Sequence, residues 1–158
     1  MANVIEEPFI AFNFSVEITK TELNKNKTAD HLCSAAFAEC DGLEMTMEVK
    51  TIKEGGANGR LIRLIGPVNY GQLTLKRGMT ANFDLWDWVE KTLRQPSLRA
   101  RAEVVLLAPD GKERARFILG RCLPVKLKSP PLNAKDGMVA IEELQLAYES
   151  LTVKRPAS

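Results

Sequence analysis

From Leu43 to Val49 every second residue is apolar. Leu43, Met45, Met47 and Val49 alternate with Glu44, Thr46, Glu48 and, one step on, Lys50. A period of two puts the two sets on opposite faces of an extended chain. The run LEMTMEVKTIK therefore predicts a β-strand with one packed face and one face in water. Gly55, Gly56 and Gly59 interrupt it, and Arg60–Ile65 resumes a strand-like pattern. Two such runs around a glycine-rich break predict a hairpin, with glycine supplying positive φ at the tip.

The rest of the chain repeats this grammar. Phe12, Phe14, Val16 and Ile18 alternate with Asn13, Ser15 and Glu17, which predicts another half-buried strand. Gly66-Pro67 closes the Arg60–Ile65 strand, and Tyr70–Lys76 follows with Leu73 and Leu75 inward. Arg101–Leu107 and Arg114–Leu119 flank the turn Pro109-Asp110-Gly111 and form a second hairpin. Val125 and Leu127 lead through an extended segment to Pro130-Pro131. Thr19–Asp30 is polar and lysine-rich and predicts an exposed loop.

One segment predicts a helix. Phe83–Leu93 has Thr80 or Asn82 as a cap and Asp84 and Asp87 near its positive end. Leu85, Val89 and Leu93 share a face with Trp86 beside it, and Pro96 stops the helix. Trp86 and Trp88 diverge by about 200° at 3.6 residues per turn, so one is core and the other lies near a surface or interface. In Val139–Val153 the pattern divides. Ile141, Leu144, Tyr148 and Leu151 fit a helix, while Leu144, Leu146 and Tyr148 fit a strand; pattern alone favours the helix.

The chain holds 158 residues, suited to one domain over 1–158 that needs no metal or disulfide to fold. Its net charge is +2, which speaks against a dominant nucleic-acid or membrane attraction. No leader-like segment and no apolar run near the ~20 residues of a membrane span is visible, so assembly in the cytoplasm is expected. Cys33, Cys40 and Cys122 form no CxxC pair and read as reduced thiols.

Catalytic, cofactor-binding and metal residues are expected to be none. His31 is the single histidine, too few for a multi-histidine zinc site. There is no GxSxG turn, and the glycine cluster lacks the GK[ST] ending of a phosphate loop. Glu142 and Glu143 are adjacent and point to opposite faces of a strand, so they make no acid–base pair.

Several strings, taken in order, resemble one family, the tail tube proteins of contractile phage tails and related contractile injection systems. They are AECDGLEMTMEV (Ala38–Val49), KEGGANG (Lys53–Gly59), GPVNYGQLTLKRGMT (Gly66–Thr80), LWDW (Leu85–Trp88), VVLLAPDG (Val104–Gly111), CLPVKLKSPPLNA (Cys122–Ala134) and VAIEELQLAYESL (Val139–Leu151). The resemblance runs from about Phe9 to Leu151. One departure is a longer polar segment at about 19–32, read as an insertion; a frayed tail is set at about 152–158.

The resemblance implies a mainly β (α+β) fold, a β-sandwich or barrel-like subunit with one α-helix. It makes Ile141–Leu151 largely strand, against the pattern-only reading. It implies six subunits closing into a ring and rings stacking into a hollow tube, without enzymatic activity or cofactor. Glu44, Thr46, Glu48 and Lys50 would line a wet lumen while Met45 and Met47 face the subunit core. Glu54, Gly55, Gly56, Asn58 and Gly59 would make subunit or ring contacts. Asp84, Asp87, Trp88 and Glu90 on the helix would meet sheath or baseplate. Partners are other copies of the chain, sheath and baseplate proteins, and effector cargo or DNA in the lumen, with no membrane insertion. The finished particle is a phage tail or an injection device that can be released outside the cell. Two alternatives stand beside the main tube: an initiator ring at the baseplate, and a ring-forming effector carrier of a secretion system. A small β-barrel nucleic-acid binder fits the near-neutral charge poorly.

Overall fold

The computed structural model describes residues 8, 13–21, 31–56, 59–135 and 137–156. Its organising element is β8 (Glu113–Lys128), a sixteen-residue strand bent at Arg121, whose φ of 51° lies in the left-handed region. Before the bend β8 pairs antiparallel with β7 (Ala100–Leu107) and β10 (Ser150–Lys154); after it, with β9 (Ile141–Ala147). β7 pairs with β1 (Phe14–Lys20), and β1 with β2 (His31–Ala35). On the other limb β9 pairs with β6 (Gln72–Gly78), and β6 with β3 (Glu39–Asp41). The order is β2-β1-β7-β8-β9-β6-β3, with β10 on β8; among the described residues β2, β3 and β10 each pair on one side only. Val16, Ile18, Ala102 and Val104 of one limb share a core cluster with Leu73, Leu75, Leu144 and Leu146 of the other. The limbs therefore fold over one another, as two apolar sheet faces must.

The segment that pattern alone favoured as a helix is β9 and β10. Its inward residues Glu142, Leu144, Leu146 and Tyr148 alternate with half-exposed ones. β9 and β10 run on past a two-residue kink, so β8 faces one nearly continuous partner from Lys128↔Glu143 to Arg116↔Lys154. The tail placed from residue 152 begins inside β10, which keeps its pairing to Lys154. Of the polar loop, Thr19 and Lys20 belong to β1 and His31 opens β2; residues 22–30 lie outside the described residues.

The helix α1 (Asp84–Arg94) forms where expected and packs on β8 and β2. Its first amide, Asp84 N–H, donates to Asn82 Oδ1 at 3.2 Å. The buried stripe differs from the expected one. Leu85 and Trp88 are inside, Trp88 at 1% exposure, whereas Leu93 is 76% exposed. Stripes at i, i+3 and at i, i+4 are both open to a helix. The indole offers far more apolar area than Val89 or Leu93, so the helix rolls to bury it.

The remaining pair, β4 (Met45–Lys53) and β5 (Leu61–Tyr70), is a two-stranded sheet separate from the eight-stranded one. Every residue of β4 is exposed, Met45 at 44% and Met47 at 49%. This corrects the expectation that Met45 and Met47 face the subunit core. Alternation reports two unlike faces; it does not report which molecule covers the apolar one. Gly66-Pro67 also does not end the strand. The register passes from Met47↔Val68 to Val49↔Ile65, an extra residue in β5 and hence a bulge. A Cβ at Gly66 would stand 2.9 Å from Glu48 O, and a bulge tolerates the absent N–H of Pro67.

Candidate functional site

The separate hairpin, here the arm, is fastened at its root. Gly42 has φ 101°, and a Cβ there would lie 2.0 Å from the carbonyl oxygen of Gln72. Only glycine permits that approach. The Tyr148 hydroxyl lies 2.7 Å from Gly42 O and 3.0 Å from Glu44 O, and it accepts from Glu44 N–H at 3.1 Å. With one proton to donate, it serves one of the two carbonyls at a time. Gly71 N–H donates to Glu44 O at 3.2 Å, and the Tyr70 and Tyr148 rings stand 5.6 Å apart. Burial pushes the Tyr148 hydroxyl above its ordinary pKa, which keeps it a donor.

Beyond the root the register sorts the arm's faces, because directly paired residues share a side. Met45/Tyr70, Met47/Val68 and Val49/Ile65 make one face. Thr46/Asn69, Lys50/Leu64 and Ile52/Ile62 make the other. Asn69 Nδ2 donates to Glu48 Oε1 at 3.3 Å, so Thr46, Glu48, Lys50 and Asn69 form a polar half-face; Glu44 is exposed just before the strand. The polar set expected to line a lumen is thus brought together. From Leu64, opposite Lys50, the same face turns apolar through Ile52 and Ile62, all three exposed. At the tip Glu54, Gly55, Gly56 and Gly59 are exposed, Gly56 with φ 98° and Gly59 with φ 99°; Asn58 lies outside the described residues.

Four residues expected on the outer helix divide. Asp87 and Glu90 are exposed, and Glu90 lies 3.7 Å from Arg94. Trp88 is core, and Asp84 is turned inward to Arg77. Arg77, on the inner face of β6, is the centre of a network that the sequence did not suggest. Its Nε donates to Glu142 Oε1 at 2.5 Å, and its Nη2 donates to Asp84 Oδ1 at 2.5 Å and to Asn82 O at 3.2 Å. Trp86 Nε1 donates to the other Glu142 oxygen at 3.1 Å. The guanidinium also lies 5.7 Å from the centre of the Phe37 ring. Burial alone would lower Arg77, but the hydrogen bonds to Asp84 and Glu142 outweigh it and hold the guanidinium above its usual pKa. The group ties β6, β9 and the start of α1 together. An inward cation after two inward leucines (Leu73, Leu75, Arg77) is the period-two signal that could have found it.

Chemically the described residues are quiet. Burial, then the Asp84 carboxylate, pushes the Cys33 thiol to about 12; burial pushes Cys122 to about 12 and, with Asp41, Cys40 to about 11. All three are free thiols, too weakly acidic for nucleophilic work. No group of three or more metal-ligating side chains occurs among the described residues. On the outer face of β7 and β8, Arg101, Glu103, Arg116 and Glu113 form a ladder of ion pairs beside a surface hollow of about 480 Å³. No helix among the described residues is long and apolar enough to cross a membrane.

An antiparallel sheet folded on itself, one helix and an exposed two-stranded arm define a mainly β subunit with one apolar ribbon standing clear of its core. Residues 10–152 match the model of the T4-like virus tail tube protein gp19 family, and the chain belongs to that family. No curated protein matches it. Among solved structures it is similar to a chain of the anti-feeding prophage baseplate (six-fold symmetrised), with 27% identity over 96% of this chain and 98% of that one and a TM-score of 0.78. It is also similar to a chain of the sheath–tube complex of an extracellular contractile injection system in the extended state, with 17% identity, 96% and 95% coverage and a TM-score of 0.78. A chain of the anti-feeding prophage tube-terminating cap gives 16% identity, 99% and 97% coverage and a TM-score of 0.77. The protein is thus a tail tube-like protein of the contractile injection type.

Proposed function

We propose that this chain is a structural, non-enzymatic ring subunit of the inner tube of a contractile phage tail-like particle. Six copies close into a ring, and rings stack around a hollow lumen. The observation that carries the reading is the arm, nineteen strand residues whose apolar side chains stand exposed among the described residues. An arm pinned at its root and uncovered along its length needs a neighbour, and a head-to-tail contact that closes supplies one for every copy. The polar half-face of Thr46, Glu48, Lys50 and Asn69 lines the lumen, with Glu44 beside it, where effector cargo or DNA would pass. The tip at Glu54–Gly59 touches an adjacent subunit or ring. Asp87 and Glu90 on α1 face outward, toward sheath or baseplate. The tube acts mechanically: a contracting sheath drives it forward. Assembly takes place in the cytoplasm, and the finished particle can act outside the cell.

A second reading puts the chain in the ring at the baseplate from which the tube starts. The 27% identity to a baseplate chain, against 17% to a chain of a sheath–tube complex, favours it. Electron microscopy of native particles tests both. Six-fold rings repeating along the shaft support the main tube, a single layer at the baseplate supports the initiator, and absence from every particle refutes the proposal.

A further inference from the structure

The outer face of β7, β8 and β10 carries a charge that the fold leaves unbalanced. Directly paired residues share a side, so Glu103, Ile118 and Thr152 form one row across the three strands, and Arg116 and Lys154 stand in the next. The two carboxylates of this face are fully engaged. Arg101 donates twice to Glu103 Oε1, at 3.0 and 2.8 Å. Arg116 donates to Glu103 Oε2 and, at 2.9 Å from both Nε and Nη2, to the two oxygens of Glu113. Two arginines thus balance two glutamates, and Lys154 and Arg155 are in excess. Both are exposed, both line the hollow of about 480 Å³, and neither makes a hydrogen bond or ion pair among the described residues. Lys154 acts on Glu113 only through its field. The half-exposed Ile118 gives the hollow an apolar wall. β10 is also an edge. Among the described residues it pairs with β8 alone, so its other side presents the unpaired backbone groups of a five-residue strand.

We propose that β10 and the hollow beside it form a docking edge for an extended acidic segment of a different protein. The segment adds as a strand to β10 and sets its carboxylates against Lys154 and Arg155. Two features together select this occupant. A free edge offers a row of backbone hydrogen bonds to any extended polypeptide, which a nucleic acid cannot use. Cations on an edge ordinarily deter strand pairing, and carboxylates on the incoming strand turn that deterrent into a preference, since each forms charge-assisted hydrogen bonds that a neutral strand lacks. Ile118 meets the methylene groups of an incoming glutamate. The β10 strand of a second copy is disfavoured, because it brings another lysine and arginine to the same edge. The contact is short. Five residues span about 17 Å at roughly 3.4 Å per residue, so the charges carry much of the affinity and salt weakens it. The inference goes beyond the ring reading: the docking edge belongs to the single subunit and is the same in shaft or baseplate.

The test uses the full-length chain in solution. The probe is a fluorescent peptide of alternating glutamate and threonine, compared with its lysine–threonine counterpart and with an oligothymidylate of the same length. Fluorescence anisotropy should show the glutamate peptide binding at least about ten-fold tighter than either. Hydrogen exchange across Ser150–Lys154 should slow when it binds. The double variant Lys154→Glu/Arg155→Glu should keep the wild-type Tm within about 2 °C, because both side chains are exposed. It should lose the glutamate peptide at least about ten-fold and prefer the lysine peptide. An oligothymidylate that binds as tightly as the glutamate peptide makes this a general anion surface and overturns the proposal. Binding that leaves exchange in β10 unchanged, or a double variant that binds the glutamate peptide as wild type does, also overturns it. These outcomes leave the ring reading untouched, which the microscopy of native particles decides.

Discussion

Removing Arg77 is the sharpest probe of how the subunit holds together. The guanidinium is the counter-charge for Glu142, which is 1% exposed, and for Asp84 at the head of α1. Arg77→Met keeps much of the volume and strands both carboxylates. Breaking a buried pair in this way costs about 3–5 kcal/mol. At about 2.1 cal/mol/K per residue, a chain of 158 residues unfolds with an entropy of about 0.33 kcal/mol/K, so Tm should fall by about 9–15 °C. Thermal unfolding followed by circular dichroism measures it. The triple variant Arg77→Met/Asp84→Asn/Glu142→Gln should recover most of the loss, since an amide oxygen at 142 still accepts from Trp86. A fall below about 3 °C, or a triple variant as weak as the single one, would refute the idea that this network fastens the helix to the sheet.

The other predictions are more local. Tyr148→Phe removes the hydroxyl that bridges Gly42 and Glu44, while Glu44 N–H keeps Gly42 O at 3.1 Å; it should cost about 0.5–1.5 kcal/mol, with hydrogen exchange at Glu44 and Gly71 rising before that of the core. Gly42→Ala cannot be accommodated at φ 101° with a Cβ 2.0 Å from Gln72 O, and soluble yield should collapse, whereas Gly55→Ala in open space should be near neutral. Glu103 gives a pH signature. Burial would raise its carboxyl, but hydrogen bonds from Arg101 and Arg116 hold it below the usual value. Its contribution is therefore present above the unfolded-state pKa and is lost as the pH falls through the lower folded-state value. Glu103→Gln should lower Tm at pH 7, and the difference from wild type should shrink below about pH 4.

The strands could be read directly wherever one subunit supplies both the alternation and its cover, as at Val16 and Ile18 or Leu73 and Leu75. The same alternation at Met45 and Met47 misled as to burial, because no described residue packs over them. Val139–Val153 was ambiguous because a strand that kinks at Tyr148-Glu149 shifts its inward positions, and the shifted set resembles a helical stripe. On the helix, spacing favoured the stripe Leu85, Val89 and Leu93, and only contact with β2 and β8 decides that Trp88 goes inside. The Arg77 network was hidden for another reason. Its members lie up to 65 residues apart, and a charged residue at an inward position looks like a surface residue until its partners are in place.

The arm also bears on when this chain finishes folding. A two-stranded ribbon with nothing packed on it is marginal in water. Fixing its backbone costs about 1–2 kcal/mol per residue, and among the described residues the contacts at its root and the ribbon's own hydrogen bonds offset that. Some of the stability is therefore deferred until neighbours arrive. The first contacts order an arm for little return, while later ones meet arms already set. In the proposed tube, growth from such a start would have a lag and a threshold concentration, and a preformed ring would remove both. A subunit of that design would wait for a template.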